Sequence, residues 1–149
     1  MIQLQGEKRI AVPSEQLYSE LADLQNLVKT LPDIKTVKEV KEDHAVVVVA
    51  PNLSFVKGEL ETTIDRTVAT PPTHATLQVI SKGIGTSMKV SASFNLSQVE
   101  NETLLQWQAQ VLELGGLLKL VPSGLLKGAA NKVIEGWLTS LEQRLSNTA

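Results

Sequence analysis

Leu105-Gln106-Trp107-Gln108-Ala109-Gln110-Val111 alternates apolar and polar at every step. A period of two puts Leu105, Trp107, Ala109 and Val111 on one face of a strand and the glutamines on the other. One oily face and one wet face is how an antiparallel sheet reads when something covers a single side.

The same alternation extends upstream. Met88, Val90, Ala92, Phe94 and Leu96 alternate with Lys89, Ser91, Ser93 and Asn95, and Glu100-Asn101-Glu102 reads as the hairpin turn that follows. Ala75, Leu77 and Val79 line one face of the strand before, and Lys82-Gly83-Ile84-Gly85 breaks it. A long strand is predicted from Phe55 to Thr70, with Val56, Leu60, Ile64 and Val68 on one face and Lys57, Glu59, Glu61, Asp65 and Thr67 on the other. Pro71-Pro72-Thr73 turns the chain after it. Ile34 to Lys41 and Ala45 to Ala50 read as two more strands around the turn Lys41-Glu42-Asp43-His44.

At the N-terminus, Ile2, Leu4, Ile10 and Val12 suggest a first strand. Pro13 then opens a helix, where a missing N–H costs nothing. Leu17, Leu21, Leu24, Leu27 and Val28 follow at helical spacing, as one helix or two short ones ending near Leu31-Pro32-Asp33. At the C-terminus, Gly115-Gly116 closes the strands, and Pro122 to about Ser146 reads as a helix roughly 37 Å long at 1.5 Å per residue. Its wide apolar stripe requires a partner surface. Strands gathered before a terminal helix indicate an α+β layer, with a curved antiparallel sheet wrapped around the long helix and two short helices after the first strand.

Composition narrows the function classes. The 149 residues suit a single domain, 1–149, able to bury a core without staples. Cysteine is absent, which excludes disulfides, thiolate catalysis and cysteine metal sites. The net charge of −2 argues against a nucleic-acid partner. Residues 1–114 carry ten Lys/Arg and fourteen Asp/Glu, net −4, and residues 115–149 carry four and two, net +2. The longest purely apolar run, Ala45 to Ala50, is far short of the roughly 20 residues of a membrane span. No secretory leader is legible, so a soluble, cytoplasmic protein is expected.

Catalytic and metal motifs are weak. Gly83-x-Gly85 lacks the third glycine and the following helix of a dinucleotide fingerprint. His44 and His74 are read as solvent-exposed turn residues without the companions a zinc site needs. Glu59, Glu61 and Asp65 point to the wet face instead of converging. No nucleophile and base can be brought together, so neither catalytic residues nor a cofactor are expected.

The inner register contains two polar exceptions, Thr62 and Arg66. A buried guanidinium needs water, an acid or a ligand's polar head. Gly124, Gly128, Ala129, Ala130 and Gly136 thin the terminal helix, which implies either close backbone packing or space beside it. Leu117, Leu118, Leu120 and Leu125, with Lys119 and Lys127, form either an edge of the core or a patch for a membrane or partner. The candidate ligand wall comprises Leu60, Thr62, Ile64 and Arg66, then Leu77, Val79, Met88 and Val90. Trp107 and Ala109 extend it across the sheet, and Leu126, Ala130, Val133 and Trp137 close it from the helix.

Several features in order resemble the START-like helix-grip superfamily, the SRPBCC or Bet v-like fold. They are Gly6 in the first strand, Val12-Pro13-Ser14-Glu15-Gln16-Leu17, Leu21-x-Asp23-x-x-x-Leu27 and Leu31-Pro32. Val56-Lys57-Gly58, the Gly83/Gly85 break and Gly115-Gly116 before the apolar helix complete the set. Within that superfamily the chain is most similar to the CoxG family of carbon monoxide dehydrogenase components. Pro32-Asp33 stands where that family often has Pro-Gly. The resemblance implies a cavity between sheet and terminal helix for an apolar small molecule such as a lipid or quinone. It also implies an accessory role beside a molybdenum hydroxylase at the inner face of the membrane. Two alternatives stay open: an adaptor whose cavity is vestigial, and a polyketide cyclase or dehydratase-like enzyme.

Overall fold

The computed structural model describes residues 2–50 and 58–148, with side chains to residue 145. Strand β1 (Gln3–Ile10) leads into α1 (Ser14–Ala22) and α2 (Leu24–Thr30). Six strands follow: β2 (Ile34–Val40), β3 (His44–Val49), β4 (Leu60–Thr70), β5 (His74–Gly83), β6 (Thr86–Val99) and β7 (Glu102–Gly116). A 3-10 turn (Leu117–Leu120) then leads to α3 (Ser123–Thr148). Both short helices are present, separated at Asp23, whose carboxylate accepts from the Gln25 N–H and caps α2. The expected strand opening at Phe55, Val56 and Lys57 lies outside the described residues.

The strands form one curved antiparallel sheet in the order β1-β7-β6-β5-β4-β3-β2. Chain neighbours pair by hairpins, and β1 closes beside β7. Opposite residues in such a pairing share a face, so the register defines rows across the concave side. One row runs Gly6, Trp107, Phe94 and Ala75. Gly6 is required there because a Cβ at that position would come within 2.6 Å of the Trp107 ring. A second row runs Leu4, Ala109, Ala92, Leu77 and Arg66. A third runs Val111, Val90, Val79, Ile64 and Ala45.

Two irregularities modify the predicted pattern. An extra residue on β4 between Arg66 and Val68 shifts the register, so Val68 pairs with Thr76 and is 45% exposed. Val68 therefore belongs to the convex face, because a bulge inverts every side chain beyond it. A second bulge separates the pairs Lys89/Glu113 and Val90/Val111 and leaves Leu112 exposed.

The core sits at one end of the concavity. Leu17, Leu21, Leu24 and Leu27 of the short helices meet Phe94, Leu96, Leu105 and Leu77 of the sheet, and Leu138, Leu141 and Leu145 of α3 complete the cluster. Polar contacts fasten the same end of α3. Trp137 Nε1 donates to Thr30 Oγ1 at 2.9 Å, Arg144 Nε donates to Glu20 at 2.7 Å, and Lys8 Nζ lies 2.6 Å from Glu142.

Asp33 takes the left-handed conformation at φ 64°, and its carbonyl accepts from the Ala50 N–H at 3.0 Å. Backbone geometry that suits glycine is thus retained with an aspartate in it. Asp33→Gly should leave the fold intact and shift stability by no more than about 1 kcal/mol, toward gain, since the αL penalty disappears while chain entropy rises. Urea unfolding checks this, and a loss above that size would mean the Asp33 side chain holds the loop.

Candidate functional site

The two halves of α3 differ in how they meet the sheet. Along the stripe of α3 that faces the sheet, Leu138, Leu141 and Leu145 are buried, whereas Leu126, Ala130 and Ile134 are only half-buried, and Leu125 and Val133 beside the stripe are 61% and 44% exposed. A Cβ built at Gly124, Gly128 or Gly136 would meet nothing within 4 Å. All three glycines are solvent-exposed, so the open space beside them is solvent on the outer side of α3, and none of them makes a close backbone contact. On the sheet below, Leu60, Val79, Met88, Val90 and Ala109 are only half-buried although their register turns them to the concave side. The helix is closely packed at its C-terminal half and only partly covered at its N-terminal half. The result is an apolar trough open at the end where the 3-10 turn and the β5–β6 hairpin lie.

The sequence-predicted wall divides accordingly. Ile64 and Leu77 are buried in the core. Leu60, Val79, Met88, Val90, Trp107, Ala109, Leu126 and Ala130 are half-buried along the trough. Val133 is turned largely to solvent. Trp137 sits at the junction, half-buried and tied to Thr30.

Thr62 is not a lone hydroxyl. It lies opposite Ser81, both are 6% exposed, and their oxygens are 2.9 Å apart. Ser81 was legible in principle, because it continues the Leu77, Val79 phase of β5.

Arg66 meets an acid and a helix end. Its Nη1 donates to the Ala22 carbonyl of α1 at 2.8 Å, and its Nη2 lies 3.7 Å from Glu42. A cation at the last turn of α1 also answers the unpaired carbonyls there. Arg66 thereby enters an open pocket of about 470 Å3 on the opposite end of β4 from the trough mouth. Glu15, Tyr18, Asp23, Glu42 and the prolines 71 and 72 border this pocket. Tyr18 donates its hydroxyl to the His74 carbonyl at 3.1 Å, and burial pushes its pKa above the usual value against the pull of Arg66.

The histidines sit at the mouths of strands, as expected, but are less exposed than free turn residues would be. Each begins a strand and is half-buried. On the convex face His44 Nδ1 is 2.6 Å from Asp65, a hydrogen bond that raises the imidazole pKa. His74 Nδ1 is 3.0 Å from Asn95. Among the described residues no group of His, Asp and Glu could hold a metal ion.

The predicted leucine patch requires one correction. Leu118 is buried at 6%, because successive residues of a 3-10 turn face different sides. Leu117, Leu120 and Leu125 are 57%, 78% and 61% exposed. Ile84, at the tip of the β5–β6 hairpin, joins this end and is 90% exposed. The Leu117 N–H donates to the Gly85 carbonyl at 2.8 Å and ties the hairpin to the 3-10 turn. An isoleucine between two turn glycines was the available signal for it. No described helix is long and apolar enough to cross a membrane.

Solved structures repeat the architecture. A conserved protein from Geobacillus kaustophilus superposes with a TM-score of 0.89 at 21% identity, over 99% of this chain and 97% of that one. A START superfamily protein from Mycobacterium smegmatis gives 0.73 at 15% identity, over 99% of both chains. A Rhodobacter sphaeroides protein gives 0.69 at 17%, over 99% and 94%. These likenesses establish a shared fold. No curated protein matches the sequence. The family model for CoxG, a component of carbon monoxide dehydrogenase, covers residues 6–146. With a helix-grip sheet, a half-gripped terminal helix and that match over nearly its whole length, the chain belongs to the CoxG family.

Proposed function

We propose that this chain is a non-catalytic binder or carrier of an apolar small molecule, a lipid, quinone or similar compound, held between the concave sheet face and the N-terminal half of α3. The observation that supports this most directly is apolar surface left partly uncovered on both sides, Val79, Met88 and Val90 on the sheet and Leu126 and Ala130 on α3. Apolar surface left beside a gap is costly unless something covers it, and a guest gains about 0.8 kcal/mol for each buried methylene. The family's name favours an accessory place beside a molybdenum hydroxylase of the carbon monoxide dehydrogenase type. Native mass spectrometry of the purified chain should find a co-purified apolar compound. Val90→Asp, which places a charge in the trough, should abolish binding of the hydrocarbon dye diphenylhexatriene. Empty protein together with no dye binding would overturn the reading.

A second reading, contact with a membrane surface at the trough mouth, rests on the exposed Ile84, Leu117, Leu120 and Leu125. Residues 115–134 contain Lys119, Lys127 and Lys132 and no acid. Leucines beside unopposed lysines fit an anionic lipid surface. The chain should float with phosphatidylglycerol-containing vesicles, and Leu120→Glu should cut the floating fraction severalfold. Equal behaviour of the two proteins would remove this reading. Leu118→Glu is unsuitable as a probe because it would disturb folding.

A further inference from the structure

Thr62 and Ser81 occupy the concave register, between the row of Ile64 and Val79 and the position of Leu60, which lies opposite Val49. Their cross-strand neighbours are Val47, fully buried, and Met88, half-buried in the trough. Shape alone does not call for hydroxyls at this place. Valine has the outline of threonine, and the surrounding positions Val47, Val49, Val79 and Val90 already use it. Two hydroxyls carry two hydrogens, and the Thr62–Ser81 bond uses one. Either oxygen can donate in that bond, so the second hydrogen can issue from either side chain. Among the described residues it has no further side-chain or carbonyl acceptor. A buried hydroxyl hydrogen without an acceptor is destabilising. A position that carries this cost without a packing reason is suited to a guest that supplies the acceptor.

Charge narrows the guest further. Lys119, Lys127 and Lys132 at the mouth are turned to solvent, and on the sheet itself, where a carboxylate head beside the pair would need a free cation, the cations on the concave register of β1 and β4 are engaged. Arg66 is held by the Ala22 carbonyl and Glu42, and Lys8 lies 2.6 Å from Glu142. We infer that the Thr62–Ser81 pair is a hydrogen-bonding subsite for an uncharged acceptor oxygen, a ketone or ester carbonyl, on an otherwise apolar guest. This rests on the carrier reading above and adds the chemical class of the guest. The pair donates one O–H to the carbonyl, and the half-buried valines take the hydrocarbon on either side.

The test uses the full chain and two dyes, laurdan, whose dodecanoyl ketone reports hydrogen bonding through its emission, and diphenylhexatriene, which has no polar atom. Thr62→Val and Ser81→Ala should each weaken laurdan roughly five- to tenfold, the size of one hydrogen bond, and shift its bound emission to the blue. Diphenylhexatriene affinity should stay within about twofold, which also shows that both variants fold. In competition, methyl dodecanoate should displace bound laurdan at a concentration at least tenfold below that of dodecanoate. Equal losses for both dyes, an unchanged laurdan affinity, or stronger competition by the carboxylate would each overturn the subsite while the carrier reading stands. Failure of both dyes to bind the unmodified chain would overturn the two together.

Discussion

Leu141→Ala should lower the melting temperature by about 6–12 °C, while Leu125→Ala on the same helix should leave it within about 2 °C. Leu141 is fully buried in the cluster that joins α3 to the short helices and the sheet, and Leu125 is 61% exposed. Truncating a buried leucine costs about 2–5 kcal/mol, from lost transfer energy and the cavity left behind. At about 3 kcal/mol, and 2–4 °C per kcal/mol for a domain of this size, the first figure follows. An exposed truncation falls within about 0.5 kcal/mol. Thermal unfolding followed by circular dichroism checks both. Equal losses at the two leucines would mean that another surface covers Leu125.

Gly116→Ala should destabilise by about 3 kcal/mol or more, whereas Gly128→Ala should stabilise by about 0.5–1 kcal/mol. Gly116 has φ 61°, a conformation that costs an L-residue roughly 1–2 kcal/mol. A Cβ there would also run into the Gly85 carbonyl oxygen and lie 2.7 Å from its carbon. Both atoms are backbone, in a hairpin pinned by the Leu117 N–H, so neither can swing aside. Gly128 is helical, and a Cβ there meets nothing within 4 Å, so alanine gains helix propensity without a clash. Chemical denaturation of the two variants gives opposite signs if the geometry holds. A loss at Gly128 would place another surface against that side of the helix.

Much of the fold was legible because hydrophobic periodicity is a local property. Leu105 to Val111 and Met88 to Leu96 point where their alternation says, since strand geometry alone sends successive side chains to opposite faces. Val68 escaped this reasoning because a bulge is a property of the pairing of β4 with β5, and the β4 pattern carries no mark of it. Leu118 escaped because the segment between Gly116 and Ser123 forms a 3-10 turn, so neighbouring leucines have opposite fates. The inward phase of Arg66 shows that it needs a partner, but the Ala22 carbonyl comes from another layer of the molecule. The Thr62–Ser81 pair is not legible along the chain, because Ser81 lies on the next strand and becomes adjacent only through register.

By itself the sequence determined the order of elements, the oily face of each strand, the amphipathic terminal helix and the kinship that they imply. Each of these follows from residue spacing along one segment. The tertiary structure alone decided that α3 is closely packed at one end and only partly covered at the other, that the hairpin tip joins the leucine turn, and that two hydroxyls meet in the concave wall. These are distances between segments. They are set by the sum of contacts at the packed end of the sheet, where Leu141 and Trp137 dock, and a pattern read along the chain carries no term for that sum.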